Sequence, residues 1–127
     1  VKLARANRGP ANRAEAWACL TANLALPGSG SLAAGKSIGY FQLALTVVGF
    51  LLTVVAGIGF IQWMLANWTA MHDPTGDPFE TLAGMWQHGR WAFAGIIVWA
   101  FSLLWAGITG LQILAAFPKN PVPPKIV

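Results

Sequence analysis

Residues 37–72 and 91–118 carry no formal charge, and each run is long enough to cross a lipid bilayer. A helix needs about 20 mostly apolar residues to span the hydrocarbon core. Residues 38–65 and 91–117 exceed that length. Neither stretch contains a proline, so neither loses a backbone hydrogen bond that lipid is unable to replace. A chain divided in this way is expected to be an all-α integral membrane protein, with the two runs forming a transmembrane hairpin.

Composition points the same way. Apolar residues make up 56% of the chain and charged residues 9%, against about 45–50% and about 25% in soluble proteins. Cys19 is the only cysteine, which excludes an intrachain disulfide and a Cys-x-x-Cys metal knuckle. The net charge of +4 is sorted along the chain and does not form a nucleic-acid patch. Lys2, Arg5, Arg8 and Arg13 precede the apolar runs, and Lys119 and Lys125 follow them. Between the runs, Asp73, Asp77 and Glu80 outweigh Arg90. The positive-inside rule then places both termini in the cytoplasm, as expected for a multi-pass protein of a bacterial inner membrane, and the connecting loop outside.

The resulting order is a basic cytoplasmic tail (residues 1–13), an interfacial helix with a glycine-rich turn (14–36), a first membrane helix (37–66), an external loop (67–89), a second membrane helix (90–117) and a proline-rich cytoplasmic tail (118–127). The basic start, the apolar stretch 14–26 and the small residues Ser31-Leu32-Ala33 imitate a secretory signal. The expectation here is a retained segment, because 14–26 as a helix is about 20 Å long, too short to span. Asn12 with Glu15 three residues on marks a helix start. Trp17, Leu20 and Leu24 then share a face suited to a membrane surface, and Pro27-Gly28 ends the helix. The alternative is a short helix packed on the spans of a neighbouring subunit.

Residues 30–37 read Gly-Ser-Leu-Ala-Ala-Gly-Lys-Ser, a literal match to the phosphate-loop pattern. The context opposes nucleotide binding. The pattern opens into a membrane span with no strand before it, and the first acid after it, Asp73, falls across the bilayer. Leu26-Pro27-Gly28-Ser29-Gly30-Ser31-Leu32, then Gly35-Lys36, then Gly39-Tyr40-Phe41-Gln42, resembles the turn of small bacterial TM2-domain-like membrane proteins. The likeness covers about residues 16–50 and lacks the His-Arg-Phe-Tyr type signature. It implies a membrane-embedded, hairpin-like architecture and no reaction. Ser29, Gly30, Ser31 and Lys36 are candidates to hold a lipid phosphate, through helix-start N–H groups and the ammonium. The plainer reading is that Gly28, Gly30 and Gly35 permit a tight reversal and close packing.

Small residues recur at helical spacing within the spans: Gly35 with Gly39, Thr53 with Gly57, Val55 with Gly59, and Ala106 with Gly110. Such pairs let helices approach closely in lipid. Of seven tryptophans, Trp63, Trp68, Trp86 and Trp91 lie near the outer ends of the spans, as in an interfacial belt. Trp99 and Trp105 lie deeper. Trp91, Trp99 and Trp105 fall within an arc of roughly 120°, with Gly95, Ser102 and Ala106 close by, giving an expected surface for docking a partner. The deep tryptophans, with His88 as an axial ligand, are also candidates for a pigment or haem. His72, Asp73 and His88, with Met71 and Met85, offer ligand types for copper or zinc, but their spacing defines no site.

Residues 37–66 and 90–117 hold no ionisable cluster, only Gln42, Gln62, Gln112 and scattered hydroxyls. That pattern opposes a catalytic or electron-transfer subunit and gives no support to a transporter. The expected role is a non-catalytic accessory or scaffolding subunit of a larger, bioenergetic membrane complex. It would contact other membrane subunits and anionic lipids, with bound lipid and no dedicated cofactor. The alternatives are a pigment-, haem- or metal-binding subunit using His88 or His72, and a small oligomeric transport protein.

Overall fold

A computed structural model describes residues 9–117, so residues 1–8 of the tail expected at 1–13 and the whole tail expected at 118–127 lie outside the described residues. The described chain is helical, without strands, in the order α1 (Arg13–Ala25), α2 (Ser29–Ala33), α3 (Ile38–Ala66), α4 (Trp68–Met71) and α5 (Pro78–Ala115). Two of these, α3 with 29 residues and α5 with 38, are long and apolar enough to cross a membrane. At 1.5 Å per residue they measure about 43 and about 57 Å.

Local chemistry sets the helix ends. Asn12 caps α1 by accepting from the Glu15 amide at 2.9 Å, and Glu15 reaches back to the Ala11 amide at 2.7 Å. Together they satisfy two donors near the helix start. The second long helix starts at Pro78, twelve residues before the expected boundary at 90. Asp77 accepts from the Phe79 amide at 2.9 Å, and proline suits the first helical position because its missing N–H has no partner there anyway. The expected loop 67–89 is therefore mostly helical, and its non-helical part is confined to Asn67 and residues 72–77.

The chain divides into two compact units. The described residues of one are 9–46 with 101–117, and those of the other are 47–100. In the first, Ala16 and Leu20 of α1 pack on Ile113 and Leu114 of α5, with Ala34 and Phe117 alongside. Gly110 lets this happen, since a methyl there would stand 2.7 Å from Leu20 Cδ1. The Arg13 guanidinium donates to the Phe117 carbonyl just past the end of α5. Between α1 and α3 the chain reverses on Gly28 and Gly35, whose φ values of 98° and 77° are left-handed. An L side chain at either position would be strained.

In the second unit, α3 and α5 meet backbone to backbone. A methyl on Gly49 would lie 2.7 Å from the Trp99 amide nitrogen, and one on Gly95 would lie 2.6 Å from that of Thr53. Further along, Gly84 sits under the Trp63 indole and Gly89 against the Phe60 ring.

Candidate functional site

The most organised chemistry is a polar cluster buried in the first unit. Asn23 of α1, Ser31 of α2, Gln42 and Thr46 of α3, and Ser102 and Thr109 of α5 are each at most 5% exposed. Their neighbours are apolar, so each polar atom needs a partner inside the protein. Asn23 Nδ2 donates to Ser31 Oγ at 3.0 Å and to the Ala106 carbonyl at 2.9 Å, while its Oδ1 accepts from the Ser31 amide at 2.9 Å. Ser31 Oγ donates to Gln42 Oε1 at 2.7 Å, and Gln42 Nε2 donates to Thr109 Oγ1 at 2.9 Å. Thr109 Oγ1 donates to the Trp105 carbonyl at 3.0 Å. Ser102 Oγ donates to the Gln42 carbonyl at 2.7 Å and lies 2.8 Å from Thr46 Oγ1. Among the described residues no buried side-chain nitrogen or oxygen lacks a partner.

Four helices are thus tied by amides and hydroxyls. No acid or imidazole stands among these six to accept a proton from either serine, so neither hydroxyl has the base a nucleophile needs. Cys19 is buried beside the cluster, and burial followed by the Glu15 carboxylate pushes its thiol above the usual range. That shift suppresses the reactive thiolate.

The phosphate-loop look-alike folds inward. Four of its amides are bonded within the chain: Ser31 to Asn23, Ala34 to the Gly30 carbonyl at 2.9 Å, Gly35 to that of Leu32 at 2.9 Å and Lys36 to that of Ser31 at 2.9 Å. Of the four lipid-phosphate candidates, Ser29 Oγ bonds to the Ala22 and Leu26 carbonyls, Gly30 and Ser31 are buried, and Lys36 alone is exposed. Lys36 borders a pocket of about 180 Å³ with Pro10, Gln112 and Phe117.

The expected docking residues do not form one outward surface. Gly95 is buried against Gly49 and Thr53, and Ser102 and Ala106 are wholly buried in the polar cluster. The reason is physical. Small residues are where helices of the same chain come closest, so the chain has already covered them. Trp91 and Trp99 are exposed, whereas Trp105 packs edge-on against Phe41 at 5.6 Å and Phe101 at 5.8 Å. Gly57 and Gly59 have nothing within 4 Å of a built methyl.

In the second unit a cleft of about 500 Å³ is lined by Trp63, Asp73, Asp77, Glu80 and His88, among others. Two of its carboxylates serve the backbone. Asp73 accepts from the Thr75 hydroxyl at 2.6 Å and the Thr75 amide at 2.8 Å, bonds that hold its carboxyl below the usual range. Asp77 caps α5. His88 stacks on Trp63 at 4.6 Å with Nδ1 2.9 Å from the Gly84 carbonyl, and His72 tilts over Trp68 with Nδ1 2.8 Å from its carbonyl. His72, Asp73 and His88 are not gathered into one ligand set. Among the described residues no three His, Cys, Asp or Glu side chains converge on a metal position.

Asn23 and Thr46 carried no role in the sequence reading, and Thr109 entered it only as a small residue beside the expected docking face. The one available signal was spacing: Gln42 and Thr46 lie one turn apart, and Ser102, Ala106 and Thr109 share a helix face. No protein-family model, curated protein or solved structure matches this chain.

Proposed function

We propose that the chain is an integral membrane protein acting as a non-catalytic accessory or scaffolding subunit of a larger bacterial membrane complex. One observation carries the membrane reading: in the most apolar windows of α3 and α5, only 11% and 22% of residues are buried. Val48, Leu51, Val55, Ile58, Ile97, Leu104 and Leu111 all stand more than 45% exposed. Soluble monomers rarely leave so large a continuous apolar surface in water. Lipid covers it at no cost. Charge sorting supports cytoplasmic termini and an external acidic loop, and the resemblance to TM2-domain-like proteins supports a bacterial inner-membrane location.

The accessory role rests on what the side chains are occupied with. The buried polar side chains of the first unit bind one another, and Asp73, Asp77, His72 and His88 of the second are turned to caps, turns and ring stacking. What remains outward is aromatic and small-residue surface: Trp91 and Trp99 on α5, and Gly57 and Gly59 on α3. Rings beside close-approach positions favour helix association in lipid. The test is copurification in mild detergent, comparing the native chain with a Trp91→Ala/Trp99→Ala double variant. Stable partner subunits with the native chain, lost from the variant while membrane insertion persists, support the proposal. A native chain that purifies alone opposes it.

A further inference from the structure

We infer that residues 13–37 form a re-entrant hairpin, entering the bilayer from the basic side, turning near mid-depth and leaving on the same side, with the buried polar cluster as its latch. The inference rests on the membrane reading of α3 and α5 and goes beyond it, because a segment too short to span is placed inside the hydrocarbon rather than on its surface.

The contacts of α1 and α2 form a ladder down the two long helices. Arg13 meets the Phe117 carbonyl, Leu20 meets Gly110, Asn23 reaches the Ala106 carbonyl, and Leu24 lies 3.8 Å from a methyl built on Gly107. Successive turns of α1 therefore sit progressively further from the basic end of α5. At the tip, the Pro27 carbonyl lies 3.4 Å from Thr46 Oγ1. On the way back, Leu32 packs on Gly39, and Lys36 returns to the level of Gln112 and Phe117. Ala106 is nine residues from the end of α5 and Thr46 eight from the start of α3. At 1.5 Å per residue both lie about 12–14 Å along the helices from those ends, and with those ends set at the membrane surface that is close to half of a core of about 30 Å.

A chain reversal at that depth exposes backbone groups that lipid cannot satisfy, and it is tolerated only where protein supplies the partners. Asn23 and Ser31 supply them. Asn23 Oδ1 takes the Ser31 amide near the start of α2, and Ser31 links the hairpin to Gln42 of α3. The left-handed Gly28 at the turn packs on the Leu43 amide, where any side chain would collide. Hydrophobicity gives no preference between the hairpin staying docked and its apolar face meeting lipid, so hydrogen bonds and close packing hold it.

The test is spin-label depth in phosphatidylcholine–phosphatidylglycerol vesicles, using the full chain with Cys19→Ala and single cysteines at Leu26, Ser37, Val48 and Thr75, all exposed positions. Oxygen and a water-soluble nickel chelate compete as relaxants. The expected result places Leu26 about 12–15 Å below the surface, level with Val48, while Ser37 and Thr75 are accessible to the chelate. Adding Gln42→Leu is expected to raise label mobility at Leu26 and move it toward water, whereas Trp99→Ala leaves it in place. Leu26 at interfacial depth with Val48 still deep overturns the hairpin and leaves the membrane reading intact. Chelate access at Val48 overturns both. An unchanged Leu26 in the Gln42→Leu variant overturns the latch.

Discussion

Replacing Gly95 with alanine adds one methyl where α5 crosses α3 in the second unit, and the structure sets its cost. The new carbon would stand 2.5 Å from Thr53 Oγ1, 2.6 Å from the Thr53 amide nitrogen and 2.8 Å from the Gly49 carbonyl oxygen. Two of these three are backbone atoms that cannot rotate away. Ordinary contact begins near 3.4 Å, so the helices must separate locally by about 0.7 Å, which forfeits a quarter to a half of the dispersion energy along the seam. Overpacking of this kind costs about 1–3 kcal/mol, a factor of about 5–150 in the folding equilibrium. Gly57→Ala is the internal control, because nothing lies within 4 Å of its added methyl. Alanine there gains up to about 1 kcal/mol of helix propensity as measured in water. Titrating the detergent-solubilised protein with SDS and following far-UV circular dichroism reads both. Gly95→Ala should unfold at a lower SDS fraction than the native chain, and Gly57→Ala at the same fraction or a higher one. Coincident curves for the two variants would refute the close-approach argument.

Two smaller predictions concern ionisable groups outside the long apolar helices. Removing the Thr75 hydroxyl with Thr75→Val takes away the main cause of the depressed Asp73 carboxyl and leaves the weaker amide contribution. For a carboxylate depressed by folding, the stabilisation is present above the unfolded pKa and fades as pH falls through the folded one. The variant's turn should therefore loosen at a higher pH than the native one. Carboxyl-carbon NMR titration checks this, and an unmoved Asp73 midpoint would contradict it. Cys19, buried and with its thiol pushed up by burial and by Glu15, should resist maleimide at neutral pH until SDS unfolds the protein. Immediate stoichiometric modification would show that α1 is not docked as described.

Local signals in the sequence were the readable ones. Asn12 and Glu15 marked the start of α1, and the uncharged runs marked α3 and the apolar part of α5, because caps and hydropathy are properties of neighbouring residues. Asp77-Pro78 with Glu80 was an equally local signal for the start of α5. Glu80 and Arg90 interrupt the hydropathy that follows it, so the apolar run begins only at residue 91. The polar cluster was hidden for another reason: Gln42 and Thr109 are 67 residues apart, and Asn23 and Ala106 are 83 apart. No local pattern specifies such partners. The small residues of α5 were visible as a face, but spacing does not say whether that face serves a neighbour or the chain's own helices. The structure assigns Gly95, Ser102 and Ala106 to the latter.

In the proposed arrangement α3 and α5 cross a bilayer with the acidic connection outside and the glycine-rich turn inside. Single cysteines at Thr75 and Ser37, in the Cys19→Ala background, test it with a membrane-impermeant maleimide applied to intact cells or spheroplasts. Both positions are exposed in the protein, so only the membrane limits labelling. Thr75 is expected to be labelled at once and Ser37 only after permeabilisation, with the chain retained in the membrane after alkaline carbonate. Labelling of Ser37 from outside with Thr75 protected would reverse the orientation, and labelling of neither or release into the carbonate supernatant would contradict the spanning of α3 and α5 altogether.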